Sequence, residues 1–396
     1  MKIAFFILSS FTNLGGAQIF TLRLMCELVR KGHKVVLYMD AREWRNNREH
    51  LYHAPFEIKP ILFRTNFLSR KLPFLIGGFL RFEQWRRKYD LWQVIGAYPA
   101  GCVTIWLTKD VPVFLRAHGD DVQIAPEIEY GICLDQKIKE KVKKILVKTK
   151  GLVALTKDIQ HSFCYFGISN KKIRIIPNAI DISLFHDNDI CIKKDPREVG
   201  RDKGTFRILT VGRNHFKKGY DLVPRIAKGL HERGLVFHWT IVTDHSKQIE
   251  KELVDIGLRN LFSFVLANDH VEEYIDFNGK VILPNSTIIN EYKKATIFVL
   301  PTRVEGFGMV FIEALAAGLP IVATKARGVV DVLHHEKTGL LAEVDNVEQM
   351  VDYIYDLYSN QELRDRLISN GQEDVKNYDV EKIANRYIEF YEECTN

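Results

Sequence analysis

The sequence lacks an apolar run long enough for a membrane-spanning helix. Such a helix needs about 20 consecutive apolar residues, whereas the longest candidate, residues 63–82, is interrupted by charged residues, a proline and a glycine pair. No small-residue cleavage site follows the apolar residues 2–8, which we therefore predict to be a core strand and not a signal peptide. These absences favour a cytoplasmic location, with attachment to the cytoplasmic face of a membrane as an open alternative.

Features of metal, disulfide and nucleic-acid chemistry are also scarce. The six cysteines are scattered and form no C-x-x-C pair, so we expect neither a metal site nor a disulfide framework. The net charge of +6 is small for 396 residues, which argues against a nucleic-acid partner but permits attraction to phosphates or anionic lipids. The dinucleotide fingerprint G-x-G-x-x-G is missing, and this argues against an oxidoreductase.

What the sequence does contain is an alternation of strands and helices. Residues 2–8, 17–31 and 35–39 have the patterns of a strand, a helix and a second strand, and Gly32 ends the helix. Parallel strands connected in this way require helices on both faces of the sheet. Further strands are predicted at 91–95, 111–115, 152–155, 172–176, 206–211, 236–242, 261–265, 296–300 and 320–323.

The predicted fold class is α/β, with two Rossmann-like domains that each contain a parallel sheet. A chain of 396 residues exceeds one ordinary core and fits two domains of about 150–200 residues. We place the first domain at 1–186, a polar linker at 187–204, the second domain at 205–375 and a closing helix at 376–396. Ligands of open α/β sheets bind at the carboxyl ends of the strands, so the loops that follow the strands should carry the chemistry.

Two such loops lie in the first domain. Gly15 and Gly16 open the first helix, where free amides and small residues suit a diphosphate; a tight turn without a ligand explains them equally well. His118, Asp120 and Asp121 follow the strand at 111–115. A histidine there can hydrogen-bond a sugar hydroxyl. A helix cap made by one of the aspartates, beside a solvated histidine, is the commoner meaning of such a pattern in isolation.

A third loop, at 212–219, is basic and has glycine at both ends. It contains Arg213 and Lys218, and it follows the first strand of the second domain. Arginine offers a planar fork and lysine a point charge, so the two could hold a phosphate. A solvated basic loop is the alternative, although such a loop has no need of flanking glycines.

The fourth loop, in the segment 301–320, joins a strand to an apolar helix that Gly318 ends. Glu313 is the only charged residue of this helix, and a buried carboxylate is costly unless it is paired or hydrogen-bonded. A ribose diol would satisfy it, and so would a cation such as Arg213, Lys218 or Arg303.

Glu305 lies in the turn before that helix, where it can accept hydrogen bonds from ligand hydroxyls. The backbone amides of Phe307, Gly308 and Met309 are free at the helix start and should point at a bound ligand.

The stretch from Glu305 to Glu313 resembles the E-x7-E motif of the retaining glycosyltransferases of family 4 (glycosyl transferases group 1), which have the GT-B fold. The sequence around it, E-G-F-G-M-V-F-I-E-A-L-A-A-G-L-P, follows the consensus of that family almost throughout. Further motifs occur in the family's order along nearly the whole chain: G-G-A at 15–17, H-x-x-D around 118–121, I-P-N-x-x-D at 176–181, G-R with K-G at 212–219 and T-G-L-L at 338–341.

The resemblance implies two domains that face each other across a cleft. The second domain would bind a nucleoside-diphosphate sugar, the first would bind the acceptor, and the closing helix would return to the first domain. The implied catalytic residues are His118, Arg213, Lys218 and Glu305. The implied donor-binding residues are Gly15, Gly16, Arg213, Lys218, Glu305, Gly306, Phe307, Gly308, Met309 and Glu313. Asp120, Asp121 and Asn178 are candidates for the acceptor region or the hinge.

Individual roles follow from the same resemblance. Glu313 would hold the ribose, Glu305 the sugar, and Arg213 with Lys218 the leaving diphosphate. Gly16 would let the backbone approach the diphosphate, and His118 would touch the transferred sugar.

The implied activity is transfer of a sugar from a nucleoside-diphosphate sugar, most often uridine-linked in this family, to a glycan or lipid-linked glycan. It would serve polysaccharide or cell-envelope synthesis without a cofactor or metal, since the nucleotide sugar is a substrate. A sugar-nucleotide 2-epimerase or a phosphorylase on the same fold is an alternative, and so is a non-catalytic sugar-nucleotide-binding subunit. Release of sugar-nucleotide isomers without an acceptor would identify the epimerase.

Two basic segments of the first domain, 63–88 and 137–150, combine cations with apolar residues at helical spacing. Basic amphipathic segments suit an anionic membrane surface. Core helices with a solvated basic face are the alternative for both.

Overall fold

The computed structural model describes residues 1–11, 14–61, 65–186, 205–266 and 273–395. The predicted linker at 187–204 lies outside the described residues. Among the described residues, no helix is both long enough and apolar enough to cross a bilayer.

The chain forms two compact units. Unit 1 comprises Met1–Ala179, Val271–Leu283 and Val380–Asn396, and unit 2 comprises Ile180–His270 and Pro284–Asp379. From the sequence we placed the first boundary at 186 and the whole of 271–283 in the second domain. The structure instead assigns 271–283 to unit 1, because its apolar residues complete the core of that unit. Tyr274, for example, is buried and donates a hydrogen bond to the carbonyl of Phe11 at 3.0 Å.

In the part of the chain that the structure describes, unit 1 is built on a sheet of seven parallel strands. The strands are β1 (Lys2–Ile7), β2 (Lys34–Asp40), β3 (Glu57–Ile61), β4 (Leu91–Ile95), β5 (Val113–Arg116), β6 (Gly151–Ala154) and β7 (Ile173–Ile175), in the spatial order β3-β2-β1-β4-β5-β6-β7. In β1, an inner strand of this sheet, Ile3 pairs with Val35 of β2 and with Leu91 of β4. Five of the six residues of β1 are buried, as expected where helices cover both faces of a parallel sheet.

The helices of unit 1 fill the connections between these strands. They are α1 (Gly16–Arg30), α2 (Ala41–Asn47), α3 (Thr65–Lys71), α4 (Pro73–Arg87), α5 (Thr104–Leu107), α6 (Gln136–Lys148) and α7 (Lys157–Tyr165). The C-terminal helix, Val380–Thr395, also belongs to unit 1. Its aromatic residues pack in the core there: Phe390 lies edge-on to Phe114 of β5, with ring centroids 5.3 Å apart.

Unit 2 contains a second parallel sheet, with six strands among its described residues. They are β8 (Phe206–Val211), β9 (Phe237–Thr243), β10 (Phe262–Leu266), β11 (Ile297–Leu300), β12 (Ile321–Thr324) and β13 (Leu340–Ala342), in the order β10-β9-β8-β11-β12-β13. The helices are α8 (Ser183–His186), α9 (Val223–Glu232), α10 (Lys247–Asp255), α11 (Ser286–Lys294), α12 (Met309–Ala316), α13 (Val347–Ser359) and α14 (Gln361–Asp374). The C-terminal helix of unit 1 is then α15.

The α/β class with two parallel sheets is confirmed. The strand order of unit 2 also positions the candidate site. Because β8 and β11 are neighbours, the loops that follow them leave the same edge of the sheet side by side.

Candidate functional site

The loop between β11 and α12 is buried throughout, from Pro301 to Met309. Gly308 precedes α12 with a φ of +82°, a conformation that glycine adopts at little cost. The N–H of Glu305 donates to the carbonyl of Arg327 at 3.0 Å. Gly328, with a φ of +79°, passes so close that a Cβ there would overlap the carbonyl oxygen of Glu305. The backbone of the turn is therefore fixed by its neighbours.

Glu305 and Lys218 form an ion pair inside unit 2. The Lys218 Nζ donates to Glu305 Oε1, and the exposed fractions of the two side chains are 13% and 5%. The single hydroxyl proton of Thr302 is shared between this oxygen, 3.4 Å from Oγ1, and the carbonyl of Lys217, 2.8 Å from Oγ1. Burial alone would raise the pKa of Glu305, but the charges of Lys218 and Lys217 and these hydrogen bonds hold the pKa below its usual value. Glu305 is thus a carboxylate at neutral pH. The ion pair brings together two of the predicted catalytic residues, Lys218 and Glu305.

The basic loop at 212–219 packs directly on the start of the 301–308 turn. The carbonyl of Lys217 accepts hydrogen bonds from the N–H of Arg303 at 2.6 Å and from Thr302 Oγ1 at 2.8 Å. Gly219 has a φ of +70°, and a Cβ at this position would overlap the carbonyl oxygen of Pro301. The glycine at this end of the basic loop is therefore required by the close approach of two backbones.

Arg213 lies in the same loop and is exposed. It makes no hydrogen bond or ion pair with any residue that the structure describes. Burial, and then the charges of Lys217, Arg213 and Lys218, lower the pKa of His215. The charge of Arg213 therefore acts together with those of the two lysines. The loop therefore carries a concentration of positive charge, which favours an anion.

Arg303 has a structural role. Its guanidinium binds both carboxylate oxygens of Asp221, at 2.8 and 2.7 Å, and one oxygen of Asp345 at 2.7 Å. It also stacks on the ring of Phe216, with 4.0 Å to the centroid. These contacts tie the turn after β11 to the loop after β8.

Glu313 lies on α12 and is 5% exposed. The Tyr292 hydroxyl, on α11, donates to Glu313 Oε2 at 3.0 Å. Burial and then the charge of Glu313 raise the pKa of Tyr292 well above its usual value, so the hydroxyl keeps its proton and remains a donor. From the sequence we expected a ligand diol or a cation to satisfy Glu313. Tyr292 was not predicted, because no local pattern connects a tyrosine on one helix to a glutamate 21 residues later.

The residues between the two glutamates are packed as expected for the start of a buried helix. Gly306 is buried in the turn, Phe307 is 3% exposed and contacts the ring of Tyr378 (centroids 5.7 Å apart), and Met309 is 9% exposed. The side chains of Phe307 and Met309 stabilise the turn, which leaves the backbone as the part of this stretch that a ligand could use.

In unit 1, Gly15 caps α1 and Gly16 is its first residue. The N–H of Gly15 donates to Gln18 Oε1 at 3.1 Å, and Gln18 Nε2 donates to the carbonyl of Ser10 at 2.7 Å. Gln18 therefore closes the start of the helix from within the chain. These hydrogen bonds agree with the interpretation of Gly15 and Gly16 as a tight turn. Binding of a diphosphate by the two glycines stays a prediction.

Asp121 holds the loop that follows β5. Its carboxylate accepts hydrogen bonds from the N–H groups of Ala97, His118 and Gly119 at 2.6, 2.9 and 3.1 Å. Burial, and then the charge of exposed Asp120, raise its pKa to about 6, against the effect of the three amides. Asp121 thus organises loop backbone and does not cap a helix as the alternative suggested. Whether Asp120 or Asp121 contacts an acceptor stays a prediction.

His118 is half-buried. Its Nε2 is buried and has no hydrogen-bond partner among the described residues. Burial and the charge of Arg116 lower the pKa of His118 well below its usual value. The ring is therefore neutral at physiological pH and has a nitrogen available for one hydrogen bond.

Arg116, to which we assigned no role of its own from the sequence, lies beside two of the predicted residues of unit 1: it donates to Asn178, and its charge lowers the pKa of His118. It is fully buried and stacks on Phe20 of α1, 3.7 Å from the ring centroid. Its guanidinium donates to the Tyr387 hydroxyl of α15 and to Asn178 Oδ1. Asn178, a candidate for the acceptor region or the hinge, is therefore held by Arg116.

Two family models match the chain. The model described as Glycosyltransferase Family 4 matches residues 14–184, and the model described as Glycosyl transferases group 1 matches residues 192–374. An uncharacterized glycosyltransferase of Methanocaldococcus jannaschii is 25% identical over 76% of this chain and 74% of its own length. The D-inositol 3-phosphate glycosyltransferase of Corynebacterium glutamicum is 21% identical over 96% of this chain and 92% of its own. The chain spans only about half the length of several other curated relatives that it matches.

Solved structures share the fold over the whole chain. Anabaena HepE in complex with UDP-glucose has a TM-score of 0.72 at 17% identity, covering 99% of this chain and 100% of HepE. At this identity the likeness concerns the fold.

Proposed function

We propose, from the premise that this chain belongs to the group 1 (family 4) glycosyltransferases of the GT-B fold, that it transfers a sugar from a UDP-linked donor to a glycan or lipid-linked glycan, with retention of anomeric configuration. The observation that carries the proposal is the cluster of Lys218, Glu305 and Thr302 beside exposed Arg213. The complex of HepE with UDP-glucose supports the choice of donor.

The donor would lie along the adjacent loops that follow β8 and β11. Arg213 and Lys218 would bind the diphosphate, since both are cations and Arg213 makes no hydrogen bond with the described residues. Glu305, kept ionised by Lys218, would accept hydrogen bonds from sugar hydroxyls together with donors from the following amides. Glu313 would bind the ribose, with Tyr292 fixing the orientation of its carboxylate.

The chemical step follows from where charge develops. The C1–O bond to the diphosphate breaks while the C1–O bond to the acceptor hydroxyl forms on the same face of the sugar, and the hydroxyl proton passes to a phosphate oxygen. Negative charge grows on the diphosphate, where Arg213 and Lys218 would stabilise it without a metal. Neutral His118 would hydrogen-bond a hydroxyl of the transferred sugar through its unpartnered Nε2.

The donor site is tested by calorimetric titration of UDP-, GDP- and ADP-linked sugars, with Arg213→Ala and a matched control, Arg366→Ala. Both arginines are exposed, so neither change should lower the melting temperature. A hydrogen bond to a charged group contributes about 1.5–3 kcal/mol, so Arg213→Ala should raise the Kd of a UDP-sugar about ten- to a hundredfold. Arg366→Ala should leave it unchanged. Equal affinity in both variants would remove Arg213 from the site, and release of sugar-nucleotide isomers without an acceptor would contradict transfer.

A further inference from the structure

Helix α4 exposes an apolar face in addition to the one that it buries. Ile76 and Leu80 pack inward. On the outer side, five large apolar residues are between 41% and 74% exposed: Phe74, Leu75, Phe79, Phe82 and Trp85. A helix at the surface of a globular protein normally buries its single apolar stripe and shows water a polar face. The outer face of α4 is therefore more apolar than expected for a helix face that contacts only water.

This exposed face continues onto the neighbouring elements. Phe67 of α3 is 57% exposed, and Trp106 of α5 is 42% exposed while its ring packs against Gly77 of α4. On α4 itself, the rings of Phe82 and Trp85 lie 5.9 Å apart. We call the exposed apolar residues of this region the aromatic patch; its members are Phe67, Leu72, Phe74, Leu75, Phe79, Phe82, Trp85 and Trp106. A contiguous apolar surface of this kind marks an interaction site.

Cations border the aromatic patch. At 100° per residue, Arg81 and Arg86 lie on opposite edges of the exposed face of α4. The stretch 65–88 contains six lysines and arginines and one acidic residue. Arg81 is paired with Asp110, and Arg86 with Glu83. Arg70 and Lys71, at the end of α3, are exposed and add positive charge beside Leu72.

Helix α6, which contacts α5, adds a second set of cations to unit 1. The stretch 136–150 contains seven lysines and one acidic residue. Burial raises the pKa of Cys102 to about 11, against the charges of Lys141 of α6 and Arg70 of α3, so both cations lie near this thiol. The apolar residues of α6, Val142, Ile145 and Leu146, are all buried. Helix α6 therefore matches the alternative of a core helix with a solvated basic face, and it supplies charge but no apolar surface.

The chain's positive charge is thus concentrated in these two stretches. The combined net charge of the two stretches exceeds the net charge of +6 of the whole protein, so the remaining residues together carry a net negative charge. An anionic surface would be attracted to these two stretches and repelled elsewhere.

We propose that the aromatic patch docks into the interfacial region of an anionic lipid bilayer, with α4 parallel to the membrane plane and the lysines of α6 facing lipid headgroups. Phenylalanine and tryptophan favour this boundary, and flanking cations add attraction to anionic lipids. A second copy of this chain is a poorer occupant, because a two-fold contact through the same surface would bring the bordering cations together. The inference concerns a surface and does not depend on which sugar is transferred.

The test uses the full chain with vesicles of phosphatidylcholine alone or mixed with phosphatidylglycerol. We expect sedimentation with the anionic vesicles only, weakened by added salt. The double variant F82S/W85S should reduce partition about tenfold or more, because the lost contacts are apolar. Both side chains are exposed, so the fold should be unaffected. Phe277→Ser is the matched control, because Phe277 is an aromatic residue of unit 1 that is 80% exposed outside the patch, and it should partition like the unaltered protein.

Three results would overturn the proposal. They are absence of binding to anionic vesicles at low salt, binding that F82S/W85S leaves unchanged, and a dimer in solution that dissociates in F82S/W85S. Calorimetric binding of the UDP-sugar should be the same in all these variants, so a failure of membrane docking is distinguishable from a failure of the proposed activity.

Discussion

Replacing Lys218 by alanine removes the positive partner of a buried carboxylate. Breaking a buried ion pair from one side costs about 3–5 kcal/mol. Lys218 is 13% exposed and Thr302 would still donate to Glu305, so we expect a free energy of unfolding lower by about 2–3 kcal/mol at neutral pH. Turnover should fall about 10²–10³-fold if Lys218 stabilises the leaving diphosphate.

The stability loss in Lys218→Ala should depend on pH. In the unaltered protein the pKa of Glu305 is depressed; its contribution to stability is present above the unfolded pKa and is lost as pH falls through the folded pKa. Without Lys218, the dominant effect of burial should raise the pKa of Glu305 above the unfolded value. The variant is then destabilised at neutral pH by its unpaired buried carboxylate, and it regains stability as that carboxylate is protonated. The difference in free energy of unfolding between the two proteins should therefore shrink on acidification.

The assay is urea denaturation of the two proteins from neutral to mildly acidic pH, with turnover measured in parallel. Glu305→Gln is the control: the neutral amide takes up no proton, so its stability difference from the unaltered protein should shrink less on acidification than that of Lys218→Ala. A difference that stays constant with pH, together with unchanged turnover, would refute the reasoning for Lys218.

Two further predictions concern the supports of the site. Tyr292→Phe should lower the free energy of unfolding by about 0.5–1.5 kcal/mol in urea denaturation, because one net hydrogen bond to Glu313 is lost; an unchanged free energy of unfolding would contradict this role. Gly328→Ala and Gly257→Ala share a positive φ (+79° and +74°), but only at 328 would the Cβ meet backbone, at Glu305. Gly328→Ala should therefore lose about 1–3 kcal/mol more stability than Gly257→Ala in urea denaturation; equal losses would show that the close approach does not matter.

Most strands were predictable from the sequence because they are short, apolar and buried on both faces. The predicted strands at 91–95 and 206–211 coincide with β4 and β8. Strand β3, Glu57–Ile61, was not predicted, because E-I-K-P-I is an edge strand with a proline and charged residues. The placement of 271–283 in the second domain was wrong for another reason. The apolar residues of this segment indicate that it packs in a core, but the sequence does not show which of the two cores it joins.

The charged residues of the site were predictable, whereas the partners that hold them were not. Glu305, Glu313, Arg213 and Lys218 stand out by type and by their position after strands. The pairing of Lys218 with Glu305 spans 87 residues. The contacts of Tyr292 and Arg303 likewise depend on how helices and loops pack after the sheet has formed.

The central claim is that the loops after β8 and β11 bind a nucleotide sugar. Its most direct test is a crystal structure of the protein with a non-hydrolysable UDP-sugar analogue. We predict that Lys218 Nζ and the Arg213 guanidinium lie within hydrogen-bond distance of the diphosphate, and that Glu313 accepts from the ribose hydroxyls. Density for the analogue at any other place on unit 2, with these three side chains free of it, would contradict the claim.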